Sequence, residues 1–340
     1  MVETKKIESF RYMRVLACIG IVLLHFLNGA IGLYGTEITV NQYIISKCIL
    51  NLLLWCVPIF VMITGALLLN PKKEISYKTI FSKYILRIIK ALLFCVIIFG
   101  IFDCITHNEA ISFGWIKSII LNFFQGTSWS HLWYLYLIIG LYLMLPIYRL
   151  VTRSASDKDI KYLLILYTIF LSMIPIFQVF GFDIEFYIMV SSIYPLYFFL
   201  GYAMHNKIVN IKKEQSIILL ILSTIGMIVT TYFETKNGLD FSTLTNYSSI
   251  FVVVQSISIF SLMESFNFRR SSIINSIDDK SFGIYLIHMI FVRLLLKYLQ
   301  FNPYQNIVLL NFILGVLGIF LISYLIVVIL KHIPIIKKFI

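Results

Sequence analysis

Long apolar runs, broken at intervals by short clusters of charge, fill the chain from about residue 10 to residue 330. A run such as Ile307 to Leu330 is almost continuously apolar and lacks the polar–apolar alternation of a membrane β-strand. A helix crosses a bilayer with roughly 20 apolar residues, and in hydrocarbon its backbone groups must be paired within the segment. The pattern predicts ten such spans, at 10–33, 44–69, 85–104, 131–150, 160–180, 186–204, 215–233, 248–264, 282–299 and 307–330. The expected fold class is all-α, a polytopic integral membrane helical bundle of about ten transmembrane helices. Between Ile105 and Ser130 lie too few residues for a second domain, which needs roughly 50. Residues 1–340 are therefore read as a single integral membrane domain. Within that gap, Trp115 to Phe124 sets apolar residues around Lys117, as an interfacial or re-entrant segment does. The first span outruns the 7–15 apolar residues of a signal peptide and lacks a clear cleavage site, so it is expected to be retained.

Composition strengthens this picture. Of the 340 residues 60% are hydrophobic and 13% charged, whereas soluble domains carry about a quarter charged residues. A water-soluble enzyme, a disordered chain and a fibrous repeat are excluded. Lys and Arg number 28 against 16 Asp and Glu, a net charge of +12 that in a soluble chain would raise nucleic acid as a partner. Here position explains the excess. Alternate segments hold Lys5, Lys6, Arg11 and Arg14; Lys72, Lys73, Lys78, Lys83 and Arg87; Arg149, Arg153, Lys158 and Lys161; Lys207, Lys212 and Lys213; Arg269, Arg270 and Lys280; and Lys331, Lys337 and Lys338. Together these are 22 of the 28. The positive-inside rule places these segments, and with them both termini, in the cytoplasm of a multi-pass cell-membrane protein. No nucleic-acid partner is expected. Cys18, Cys48, Cys56, Cys95 and Cys104 show no metal or redox spacing and read as packing residues.

Ionisable residues inside spans are the candidates for chemistry. Arg14 and His25 are separated by eleven positions, about 1100° of helix rotation, so they share one face; the rise of about 16.5 Å puts His25 roughly half way into the membrane. Left to itself, His25 is either a working imidazole or a neutral interhelical hydrogen-bonding residue.

Three other segments accompany this pair: Phe60-Val61-Met62-Ile63-Thr64-Gly65; His131-Leu132-Trp133-Tyr134-Leu135 running on to Pro146; and Ser281-Phe282-Gly283-Ile284-Tyr285-Leu286-Ile287-His288. In order and spacing the set resembles the acyltransferase-3 family of integral membrane O-acyltransferases, in its short form without an appended extracytoplasmic domain. The resemblance implies acetyl-CoA as cytoplasmic donor and co-substrate, and a hydroxyl of an envelope glycan or lipid-linked sugar as acceptor. The family's arginine–histidine pair falls on Arg14 and His25. The acidic residue common three positions before that arginine is Arg11 here. The R-x-x-R opening the third span is reduced to Tyr84 and Arg87, with Lys83 displaced by one.

Those roles are chemically apt. A guanidinium binds phosphate with a planar fork of donors, so Arg14, Arg87, Lys83 and Lys90 suit the nucleotide end of CoA, their alternative being ordinary cytoplasmic charge. A sugar hydroxyl is a weak nucleophile, and His25 is the candidate base to take its proton. Acyl capture by His25 stays open. His288 is a candidate donor contact, with an interhelical hydrogen bond as the favoured bland alternative. His131 and Trp133 are candidate acceptor contacts or members of an interfacial aromatic belt, to which Tyr134 also fits. Arg293, with Lys297 one turn on, is a candidate for an acidic or phosphate group of the acceptor. No spacing implies a metal. Membrane lipids complete the expected partners. The competing reading is a polysaccharide or small-solute transporter using Arg293, Glu264 and Gln255, with a membrane partner module a weaker third. Topology reporters fused at Ile340 and near Asn237 are expected to report opposite sides; the same side from both refutes the span count.

Overall fold

The computed structural model describes residues 2–107, 112–182, 184, 190–334 and 336–339. These contain α-helices and no β-strand. In chain order they are α1 (Val2–Tyr34), α2 (Val40–Leu52), α3 (Cys56–Leu68), α4 (Tyr77–Thr79), α5 (Leu86–His107), α6 (Phe113–Gln125), α7 (Trp133–Ser154), α8 (Asp157–Thr168), α9 (Ile176–Val179), α10 (Tyr194–His205), α11 (Lys213–Asn237), α12 (Ile250–Ser265), α13 (Ser272–Arg293) and α14 (Val308–His332). Short π-helical stretches join α4 to α5 (Ile80–Ile85), follow α8 (Ile169–Met173) and extend α13 (Leu294–Tyr298).

Joined across these stretches, eight helical segments are long and apolar enough to cross a membrane. Two of the expected ten spans correspond to shorter helices among the described residues. Helix α12 has 16 residues and α10 has 12, about 24 and 18 Å at 1.5 Å per residue, short of a core about 30 Å thick. Pro195 lies in the first turn of α10, where its missing N–H is harmless; the expected start of that span, 186–189, lies outside the described residues. The second expected span is two helices, α2 and α3, separated by a turn at Leu53 to Trp55. Amphipathic α6 covers the whole of the segment read as interfacial or re-entrant. It lays Trp115 and Ile119 over Gly100 of α5 and leaves Phe113, Ile120 and Phe124 exposed.

Helices α1 and α13 run parallel, and their contacts keep one register along their length. Arg14 pairs with Asp278, Cys18 Sγ lies 3.7 Å from the Ser281 carbonyl, the His25 and His288 rings meet, and the Tyr34 hydroxyl donates to the Leu296 carbonyl at 2.9 Å. Lys331 of α14 donates to the Asp279 carbonyl, so α1 begins and α14 ends at the same end of the bundle.

Helices α3 and α10 cross at backbone contact. A Cβ on Gly65 would overlap the carbonyl oxygen of Phe198, and one on Gly201 that of Met62. Small residues that let backbones approach take the place of a hydrophobic driving force between membrane helices. The end of α3 is held by α7. Arg149, only 3% exposed, donates to the carbonyls of Leu68, Asn70 and Lys73, and Thr152 donates to that of Leu69. The Leu68 carbonyl belongs to the last turn of α3, where helical partners run out, and the others to the chain that follows it, so Arg149, expected as a cytoplasmic surface charge, serves as a buried cap.

Gly65→Val and Gly201→Val are expected to lower stability by about 1–3 kcal/mol or more through overpacking. Gly140→Ala, with open space around its Cβ position, should leave the melting temperature in detergent almost unchanged.

Candidate active site

Three histidines from three helical segments meet inside the bundle. His25 comes from α1, His288 from α13, and His131 from the single 3₁₀ turn, Ser130–Leu132, that leads into α7. Ring centroids lie 5.2 Å apart for His25 and His288, 5.5 Å for His131 and His288, and 6.1 Å for His25 and His131. His288 is fully buried and His131 is 1% exposed. His131 thus lies inside the bundle beside His25, rather than at an outer interface.

Backbone carbonyls orient two of the rings. His288 Nδ1 lies 2.7 Å from the Tyr285 carbonyl and 3.2 Å from that of Ile284, and His131 Nε2 lies 3.3 Å from that of Leu286. A carbonyl only accepts, so these nitrogens carry the protons. The opposite nitrogens, His288 Nε2 and His131 Nδ1, are bare acceptors, buried and without a partner. Leaving such a group unmatched costs about 1–3 kcal/mol, and concentrating two beside a third imidazole is an arrangement that awaits a proton donor. Tyr285 donates its hydroxyl to the His131 carbonyl and so fastens α13 to the start of α7.

A cavity of about 250 Å³ shares walls α1, α7 and α13 with this cluster, and its lining residues include none of the three histidines. Its mouth carries Arg14, Tyr84, Arg87, Tyr142 and Ser281, and its far end Ile21, Val57, Tyr134, Leu135 and Tyr285. Ile21 is seven residues beyond Arg14, about 10.5 Å along α1, and His25 is the next residue on that face. The pair Tyr84 and Arg87 lines the mouth, whereas Lys83 and Lys90 are exposed and lie outside it. The π-helical stretch Ile80–Ile85 carries Lys83 and Tyr84 just ahead of Arg87; such stretches alter the helical spacing.

Arg14 uses two of its donors on Asp278, at 2.6 and 2.7 Å, and Arg11 bonds Glu8 at 2.8 Å and Asn275 at 2.9 Å. Arg87 lies over the Phe282 ring at 5.4 Å. Arg293 pairs with Asp103 at 2.9 Å and lies 3.7 Å over Trp129. Trp129 stacks its other face on Phe99 at 4.3 Å and donates to Asp103 at 2.8 Å. Both Phe99 and Trp129 touch His131. Trp133 points elsewhere, against Tyr194 and Tyr247 at 5.7 and 5.4 Å. Glu264 is engaged by His205 at 2.8 Å and Lys207 at 3.6 Å.

Sequence reading missed Asp103, Asp278, Trp129 and the cavity position of Tyr134. Asp103 left one signal, as the single carboxylate of the third expected span. Among the described residues no group of three or more His, Cys, Asp or Glu is placed to hold a metal ion.

Fold and site together define a multi-pass α-helical membrane protein in which helices α1 and α13 carry both a buried histidine cluster and the wall of a cavity lined by Arg14 and Arg87. Residues 7–330 match a family model described as an acyltransferase domain, and the chain belongs to this acyltransferase-3 family of membrane acyltransferases. Comparison with curated proteins and with solved structures returned no match.

Charge-assisted hydrogen bonds contribute about 1.5–3 kcal/mol, and Asp278 keeps only 7% of its side chain exposed. Asp278→Ala is therefore expected to lower unfolding stability by about 2–3 kcal/mol. Asp279→Ala, at an exposed neighbour, should change it by less than about 0.5 kcal/mol.

Proposed function

We propose that the protein transfers an acetyl group from acetyl-CoA to a hydroxyl of an envelope glycan or lipid-linked sugar. The observation that supports this reading is a cavity lined by Arg14 and Arg87 whose wall residues Ile21 and Tyr285 lie one helical turn before His25 and His288, in a chain of this family. The donor enters from the cytoplasmic side of the cell membrane, where the basic loops place the cavity mouth. Its phosphates meet Arg14 and Arg87, with Lys83 and Lys90 adding long-range attraction from outside the cavity. The pantetheine arm follows the apolar walls and brings the thioester to His25. The Asp278 contact leaves one terminal nitrogen of Arg14 uncommitted and aims it.

The acceptor hydroxyl attacks the thioester carbonyl while His25 takes its proton; the C–S bond breaks, and the proton passes to the departing CoA sulfur. The bare nitrogen of His131 accepts a hydrogen bond from the incoming hydroxyl. In this reading His288 serves the reacting end of the donor, and His131 belongs to the acceptor side. Arg293, Asp103 and Trp129 close that side of the cluster and offer a cation, an anion and an aromatic ring for sugar recognition. The exclusion of water around the histidines protects the thioester from hydrolysis.

A general base contributes typically about 10²–10⁴ in rate. His25→Ala is expected to reduce transfer of labelled acetyl from acetyl-CoA into membrane glycans by that factor, with acetyl-CoA affinity retained. His25→Asn keeps hydrogen-bonding capacity but takes no proton at neutral pH, and should be equally inactive. Wild-type transfer by a folded His25→Asn protein refutes the role of His25. Flux of a glycan across vesicles without CoA release would favour the transporter.

A further inference from the structure

The far end of the cavity has a shape that the proposed transfer does not by itself require. Tyr134 of α7 and Tyr285 of α13 stand there edge to face, ring centroids 5.6 Å apart at 73°. Both line the cavity. Tyr285 cannot swing aside without losing the hydrogen bond of its hydroxyl to the His131 carbonyl, and its ring is flanked by His131 at 5.7 Å and His288 at 6.1 Å. Tyr134 is backed by Phe60 at 6.4 Å and Trp133 at 6.3 Å. Ile21, Val57 and Leu135 fill the remaining wall. The wall of the cavity nearest the histidines is thus made of two braced rings, not of flexible side chains.

We infer that the Tyr134–Tyr285 pair limits the length of the acyl chain that the protein accepts, admitting a two-carbon acyl group and rejecting longer ones. This inference rests on the reading of the cavity as the donor channel. A thioester brought beside His25 directs its acyl carbons toward these two rings. Each further methylene must either displace a braced ring or withdraw the thioester from the imidazole. A single methylene misfit in an apolar pocket discriminates by about 10- to 200-fold, because packed interiors do not deform continuously. Phenol rings can do this where leucines would not, since a ring has few rotamers and its edge-to-face partner fixes them.

The test is direct binding of CoA, acetyl-CoA, butyryl-CoA and octanoyl-CoA to the purified full chain in detergent, by calorimetry and without an acceptor. The wild type is expected to bind acetyl-CoA at least tenfold more tightly than butyryl-CoA, with octanoyl-CoA weaker still. Tyr134→Ala should bring the three esters within about threefold of one another by strengthening the longer two. Tyr134→Phe keeps the ring and should keep the discrimination. Tyr134→Leu, a milder truncation, should shift the preference toward butyryl-CoA, and it serves if the alanine variant fails to fold. Equal binding of all esters by the wild type, or unchanged discrimination in a folded Tyr134→Ala or Tyr134→Leu protein, overturns the ruler while the donor channel stands. Failure of CoA and of every ester to bind the wild type overturns the channel and the ruler together.

Discussion

The parallel register of α1 and α13 is the constraint on which the site depends. Its fixed point is the Arg14–Asp278 pair, two short charge-assisted hydrogen bonds at one end of the two helices. From that point each helix rises about 1.5 Å per residue, so the eleven residues from Arg14 to His25 and the ten from Asp278 to His288 cover nearly equal distances. The two imidazoles therefore arrive at the same depth, 5.2 Å apart. A one-residue slip would rotate one ring by about 100° away from the other. The pair thus acts as a ruler at one end for a contact made about 16 Å away.

The surrounding bundle holds that geometry against the weak forces available between helices in lipid. Hydrocarbon offers little reason for one apolar helix to prefer another over lipid, so close backbone approach and polar ties decide packing. The crossing of α3 and α10 at Gly65 and Gly201 is the clearest case of the first. Arg149 is the clearest case of the second, because it gathers the carbonyls of Leu68, Asn70 and Lys73 at and just after the end of α3. Both lie near the cavity wall formed by Phe60 and Thr64 of α3.

The chemistry follows from partial satisfaction of the histidines. One nitrogen on each of His131 and His288 is committed to a backbone carbonyl, which fixes the tautomer, while the other is left bare in a buried place. A cluster built only for packing would bond these nitrogens across helices. On the other side of His131, Trp129 lies between Phe99 and Arg293, with Asp103 neutralising the guanidinium. Aromatic stacking and ion pairing there seal the cluster without adding net charge next to it.

The apolar periodicity by itself determined the membrane class, the all-α bundle and nearly all of the spans, because a lipid environment leaves the backbone few choices. Helical spacing alone also put Arg14 and His25 on one face of α1. What it could not decide was every relation between helices. Asp278 as the partner of Arg14, Asp103 as the partner of Arg293, and the meeting of His25 with His131 and His288 join residues more than a hundred positions apart. Tyr134 read as an interfacial aromatic and became a cavity wall for the same reason. A period of 3.6 residues specifies which side chains share a face of one helix, but which neighbour that face meets is set by glycine contacts, polar ties and register in the folded bundle. Likewise α10 and α12 looked long enough on apolarity, and the folded chain makes them 12 and 16 residues long.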